Sequence, residues 1–262
     1  MIMVDFVLKS AKHFWPATVS VLVLLLVWEV VARQGFIHIS LFPPPSHVVE
    51  ALQRLAESGE LWRDIKASLV RAFCGLGIGS AVGVVVGLVT GRIRILDRFI
   101  TPLVQLFRPL PPVAVIPLVI VWFGIGEASK VFSIAFAVFF PVWINTYLGA
   151  KQIPRTYLWS AETFNAHGFW LFLKVIFPGS LSFVVAGVRN GIAVAFIMVF
   201  VAELAGASAG IGYQISVSHL AYRVDRMIGS LVVLGLCGAC ADLLFTKSLW
   251  FAFPWLKLGA QK

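Results

Sequence analysis

Charge is scarce in this 262-residue chain: 13% of its residues are Asp, Glu, Lys or Arg, against about 25% in a soluble domain. Hydrophobic residues make up 60%. That balance excludes a soluble globular protein and predicts a single integral membrane domain with little outside the bilayer. Cysteine is rare too. Cys74, Cys237 and Cys240 all fall in apolar stretches. Cys237 and Cys240 have redox or zinc spacing, but no second pair accompanies them, so all three read as small buried residues. A G-x-x-x-x-G-K-[ST] phosphate loop is missing, and no His, Ser or Cys constellation sits on a loop. Both absences argue against ATP hydrolysis or nucleophilic catalysis by this chain.

Acidic residues are the scarcer charge, and the net balance is +9. Nucleic-acid binding does not follow, because the basic residues lie in short loops between apolar spans. One set of loops holds Lys9, Lys12, Arg92, Arg94, Arg98, Lys151, Arg155, Lys174, Lys247, Lys257 and Lys262 against Asp5, Asp97 and Glu162. The opposite set, which includes Arg54, Arg71 and Arg223, is nearly matched by acids such as Glu50, Asp64, Glu127 and Asp225. The excess of Lys and Arg marks the first face as cytoplasmic and places both termini inside. Lys9 and Lys12 precede an apolar run from Val19 to Val31, which Glu29 interrupts. No small-x-small cleavage site follows before Arg33, so the run reads as a retained first span.

Helical spans need about 20 apolar residues. Six stretches qualify: 17–33, 68–90, 99–123, 129–149, 180–204 and 227–247. The segment after the first span begins with a proline turn, and Ser46 is expected to N-cap an amphipathic helix with Val48, Val49, Leu52 and Leu55 on one face. That helix either lies on the outer membrane surface or packs on the bundle. The second span carries Gly75, Gly79, Gly83, Gly87 and Gly91 at a strict four-residue spacing. Such a face lets another helix backbone approach closely, within or between copies of the chain.

Residues 99–127 put a charge and five prolines inside an apolar stretch: Arg108 with Pro102, Pro109, Pro111, Pro112 and Pro117. A guanidinium near mid-bilayer is costly and usually faces a bundle interior or a wet path. Helical prolines free backbone carbonyls that need other partners. Together they indicate a helix that lines a pathway. Arg189, also inside a span, has the same two readings: it faces a pathway, or it bonds carbonyls freed at a kink. Arg108 has a third, an ion pair with Glu203. Glu203 ends the fifth span and opens a glycine-rich loop, and it reads as shaping the outer face.

Residues 150–178 form a long loop that is not a flexible linker. Pro154 is placed to start a helix with Tyr157, Leu158 and Ala161 on one face. Asn165 and Gly168 suit left-handed backbone and would close it. A second helix is expected over about 169–177, ending at Pro178. Two short helices there make either a docking knob or a lid on the bundle.

Taken together, these residues resemble the permease subunits of bacterial ATP-binding-cassette (ABC) importers, in the nitrate, sulfonate, taurine and bicarbonate branch. The resemblance rests on VWEVVA after the first apolar run, LFPPPSHVVEAL at 41–52, RPLPPVAVIPLVIVWFGIGE at 108–127 and GVRNGIAVAFIMVFVAELAGASAGIGYQI at 187–215. It implies an all-α type I ABC importer permease fold of about six transmembrane helices with cytoplasmic coupling helices. It also implies a second copy of the permease, two ATPase subunits that bind ATP and Mg, and an extracellular or periplasmic solute-binding protein, in a bacterial inner membrane. The chain itself would bind no cofactor; its remaining contacts would be lipid. The family's loop signature runs Glu-Ala-Ala, three residues, Gly, then an aliphatic residue and Pro. Without a gap to Phe177-Pro178, Trp159, Ser160 and Ala161 fall on Glu-Ala-Ala and Asn165 on the glycine, followed by Ala166, His167 and Gly168. A second register uses Glu162, Thr163, Phe164 and Gly168 but needs a three-residue deletion. The other classes open to such a sequence are an ion-coupled carrier or channel, an importer of a vitamin precursor, and a non-transporting anchor. The Arg-and-proline span argues against the anchor.

Overall fold

The computed structural model of the protein describes residues 2–254, with side chains from Trp15 onward except Ala17. Lys257 and Lys262 of the expected cytoplasmic set lie outside the described residues, as does the C-terminal end. Eleven helices and one π-helical turn account for most of the described chain: α1 (Ile2–Arg33), α2 (Pro45–Glu57), α3 (Glu60–Arg92), α4 (Arg94–Phe107), α5 (Pro112–Phe123), α6 (Glu127–Lys151), α7 (Arg155–Thr163), α8 (Gly168–Leu171), the π turn Phe172–Ile176, α9 (Phe177–Leu204), α10 (Ile211–Leu220) and α11 (Val224–Ala252). By length and apolarity, four stretches among the described residues suit a membrane span: α3, α6, Gly168–Leu204 and α11. The pair α4 and α5, bent by 98°, passes the same test only when taken together, as a broken span or a re-entrant loop. The expected first span, 17–33, is helical as the second half of α1 and includes the undescribed side chain of Ala17.

The chain divides into two compact units. The smaller comprises residues 1–62 and 214–231. Here Glu29, the acid that interrupts the first apolar run, holds the start of α2. It accepts the Ser46 backbone N–H (3.1 Å), the Ser46 hydroxyl (2.9 Å) and Arg33 Nε (2.6 Å). Ser46 is therefore not the N-cap. Pro44 takes that place in extended backbone with Pro45 at the first helical position, where its missing N–H costs nothing. The buried face of α2 is Val48, Ala51 and Leu55, while Val49 is exposed.

The larger unit comprises residues 63–213 and 232–262. At its centre α6 lies between α3 and α9. The glycine stripe of α3 meets α6 along its whole length. An ideal Cβ on Gly75 would meet Ile134, on Gly83 Val142, on Gly87 Thr146 and on Gly91 Ala150. Gly75, Gly79, Gly83, Gly87 and Gly91 therefore lie against α6 within one chain. Gly187 and Gly191 of α9 approach α6 from the other side at Val142 and Val138. Ile134, Val138, Val142, Ile192 and Val199 form the core between them. Trp143 is fully buried there and donates its indole N–H to Thr90 Oγ1 at 3.3 Å.

Two expectations need correction. The stretch 99–123 is not one helix: α4 and α5 meet at 98°. Pro109, Pro111 and Pro112 remove three backbone donors within four residues, and Pro111, preceding a proline, is extended at φ −65° and ψ 122°. The second loop helix does not end at Pro178. It runs through the π turn into α9 as one helix of 37 residues, Gly168–Leu204. The wide turn falls just before Pro178, where the absent N–H breaks the regular ladder. The cysteines also differ from expectation. Cys74 and Cys240 are exposed in the chain, Cys237 is half-buried, and all are free thiols. No group of three His, Cys, Asp or Glu side chains suited to a metal occurs among the described residues.

Candidate functional site

Three groups of polar residues stand out in the larger unit. The first is the loop between α6 and α9. Pro154 caps α7 in extended backbone, and α7 buries Leu158 and Ala161 while Tyr157 and Trp159 point outward. Ser160 is exposed and back-bonds Thr156 O at 2.9 Å. Leu158 packs with Leu88, Ala150, Ile153 and Ile176, so α7 is seated on the bundle. The helix ends in a left-handed turn. Asn165 is left-handed at φ 57°, its N–H bonds Glu162 O (2.9 Å), and the Ala166 N–H bonds Ala161 O (3.0 Å). This paired closure is the Schellman motif, with Asn in the place usually held by Gly. His167 Nε2 lies 3.0 Å from Asn165 Oδ1, and Gly168 is left-handed as well. Pro178 lies beyond, in the first turn of α9. Phe164 and Phe169 leave 85% and 73% of their surface open, so an apolar, aromatic surface surrounds this turn.

The second group comprises the charges inside spans. Arg108 follows α4 at the break before α5, is exposed, and has no side-chain hydrogen bond or ion pair among the described residues. Arg189 of α9 is held by Asp242 of α11 through a fork of two bonds, 2.9 and 2.8 Å. It does not bond carbonyls freed at a kink. Both partners remain partly open, at 48% and 34% of side-chain surface. Neighbouring open positions on α9 are Ser182, Ala186, Asn190 and Ala193, small or polar where α1 shows Leu22, Leu24 and Leu26.

The third group surrounds Glu203, which is fully buried at the end of α9. Its partner is Arg71 of α3, at 2.7 Å, and not Arg108. Ser68 donates to both carboxylate oxygens (2.8 and 2.9 Å), and the Gly212 N–H, in the first turn of α10, adds a bond of 2.8 Å. The Arg71 guanidinium also grips Glu127 at 2.6 and 2.7 Å and Ala209 O at 2.6 Å. Asp64 accepts the Gly210 N–H at 3.0 Å, and Ser68 Oγ accepts that of Ile211 at 2.8 Å. One cluster thus ties α3, α6, α9 and the entry to α10, and it gives the glycine-rich loop after Glu203 its shape.

The structure does not bring Arg108, Arg189 and Glu203 together as one site. Arg189 and Glu203 lie on one helix about 21 Å apart at 1.5 Å per residue. Sequence reasoning read Arg71, Asp64 and Glu127 only as charges of the opposite face and did not single out Ser68 or Asp242. The available signal was a charged residue of each sign within apolar stretches: Arg71 inside 68–90 and Asp242 inside 227–247.

A profile of the family described as binding-protein-dependent transport system inner membrane component matches residues 79–247. The chain belongs to this family. The permease is 34% identical over 236 residues to SsuC of Escherichia coli K12, described as an aliphatic sulfonates transport permease, covering 90% of this chain and 88% of that one. It is 31% identical over 247 residues to the taurine transport system permease TauC of the same organism, covering 90% of each. Among solved structures, an inward-facing form of the MetNI methionine ABC transporter aligns with a TM-score of 0.61 at 19% identity, over 72% of this chain and 94% of that one. That likeness shows the fold: the permease has the all-α fold of ABC importer permeases. It is a multi-pass inner-membrane transport component and not an enzyme, and it sits with the sulfonate and taurine permeases as its sequence resemblance implied.

Proposed function

We propose that two copies of the permease form the passage of an ATP-driven importer for a small anion. Nitrate, bicarbonate, a sulfonate or taurine, handed over by an extracellular binding protein, fits the reading. Two separate ATPase subunits bind ATP and Mg and seat against residues 154–178 on the cytoplasmic side, where both termini also lie. The names of the sulfonate and taurine relatives support this cargo class. So does the aromatic surface around Asn165, which is apolar enough to dock a partner and rigidly closed by the Schellman turn.

The observation that carries the anion reading is Arg108. Among the described residues it is a guanidinium without a partner at a break between two helices, and fixed positive charge in a low-dielectric passage lowers the barrier to negative cargo. Arg189 contributes less of this attraction, because Asp242 balances its charge. Its role is to mark a face. An ion pair half-open inside a span is poorly suited to acyl chains, so the small and polar stripe from Ser182 to Ala193 faces water or the second copy.

Replacing Arg108 tests the reading. Arg108→Lys keeps the charge and loses the planar fork; Arg108→Gln keeps polarity and loses the charge. With assembly intact in both, Lys retains appreciable uptake and Gln loses most of it. The measurement is transport per assembled complex in reconstituted vesicles, with taurine, ethanesulfonate, nitrate or bicarbonate supplied on the binding protein. Equal uptake by wild type and Arg108→Gln removes Arg108 from the passage.

A companion test addresses docking. Asn165→Val puts a β-branched residue where φ is +57° and strains the turn by about 1–2 kcal/mol. The variant inserts in the membrane yet loses its ATPase or hydrolyses ATP without uptake, while Asn165→Gly keeps both. Normal ATPase recovery and normal uptake by Asn165→Val count against docking at this loop.

A further inference from the structure

A fourth polar group joins the loop end of α6 to α4. Asp97, in the first turn of α4, accepts the Thr101 hydroxyl (2.7 Å), the Tyr147 hydroxyl (2.9 Å) and the Lys151 ammonium (2.9 Å). Lys151 also bonds the Tyr147 hydroxyl. The Tyr147 ring stacks on buried Trp143 at 5.4 Å, and Trp143 in turn bonds Thr90 of α3. The carboxylate is therefore gripped by two groups on α6, of which Tyr147 is stacked on the core and Lys151 is bonded to Tyr147. A lone surface ion pair has no such support.

The position of this group is informative on both sides. Lys151 is the last residue of α6; Gln152 and the buried Ile153 follow, and Ile153 packs with Leu158 of α7. On the other side α4 buries only Thr101 and Val104, and its large apolar residues Ile95, Phe99, Leu103 and Leu106 stand open. At its far end α4 carries Arg108 and the 98° bend into α5. Few other side chains hold α4 to the bundle, so what moves the end of α6 moves the base of the broken span.

We propose that Asp97, Tyr147 and Lys151 are positioning residues that carry movement of the cytoplasmic loop into the broken span bearing Arg108. The proposal rests on the docking reading of residues 154–178. Coupling claims need coupling evidence, and a charge swap across a pair provides it.

The test uses the full complex purified with its ATPase subunits, with Cys74, Cys237 and Cys240 replaced by serine. Single reporter cysteines are placed at Glu162 on α7 and Gln105 on α4, both exposed. The rate of labelling by a hydrophilic maleimide is read with and without vanadate-trapped nucleotide. In the otherwise unaltered complex both reporters change rate on trapping. In Lys151→Met the Glu162 reporter still responds, while the response at Gln105 falls below half. Asp97→Asn behaves in the same way, and the double swap Asp97→Lys with Lys151→Asp restores the response at Gln105. Three results overturn the proposal: a full response at Gln105 in Lys151→Met, a swap that restores nothing, or reduced assembly with both responses unchanged. A different failure, no response at Glu162 in the unaltered complex, overturns the docking reading itself and the proposal with it.

Discussion

Glu203→Ala is expected to destabilise the permease by about 3–5 kcal/mol, the usual loss when one member of a buried charge pair is removed. The large figure follows from what the carboxylate leaves behind. Ser68 and the Gly212 N–H lose their acceptor, and Arg71 Nη1 keeps only Ala209 O. Arg71 is itself almost fully buried, so water does not replace the missing bond. Glu127→Ala is the comparison. It removes two equally short bonds to the same guanidinium, but Glu127 has 64% of its side chain open to solvent. An exposed partner contributes about 0–1 kcal/mol. Thermal denaturation of the detergent-solubilised complex, followed by size-exclusion recovery, ranks Glu203→Ala well below Glu127→Ala. Equal losses in the two variants would show that burial does not set the strength of this cluster.

Gly79→Ala is expected to cost about 1–3 kcal/mol, the range for overpacking a filled interior. A Cβ at Gly79 would lie 2.5 Å from the Ala135 carbonyl oxygen and 2.9 Å from Val138 Cβ. The first neighbour is backbone inside α6 and has nowhere to go, so α3 and α6 must separate. Gly79→Leu enlarges the clash and prevents stable assembly. Gly77→Ala provides the control on the same helix. A Cβ there meets nothing within 4 Å, and exchanging Gly for Ala inside a helix gains about 0.5–1 kcal/mol. The same melting assay separates the two glycines by sign. A destabilising Gly77→Ala would point to a contact made by the second copy on that face.

Local patterns were legible in the sequence and long-range pairings were not. The glycine stripe of α3 repeats every four residues, so its packing face can be read without knowing what packs on it. Asn165 was legible as a left-handed turn because few other residues tolerate that backbone. The proline cluster announced a disrupted span, although nothing in its spacing fixes an angle of 98°. By contrast, Arg71 and Glu203 are 132 residues apart, and Arg189 and Asp242 are 53 apart. Their partnerships depend on which helix faces which, a fact that hydropathy does not encode. The same ignorance paired Arg108 with Glu203. Pro178 misled for a different reason. A proline usually ends a helix, but here the π turn just before it absorbs the missing donor and the helix runs on.

The unbroken rod from Gly168 to Leu204 is about 55 Å long at 1.5 Å per residue, well beyond a hydrocarbon core of about 30 Å. It lies alongside α6, from Phe183 at Gly149 to Gly191 at Val138. One end is the aromatic turn at Asn165 and Gly168, and the other carries the buried carboxylate of Glu203. Because the two helices are in contact along that length, a push on the first end is expected to shift α6 and the rod together rather than bend one past the other.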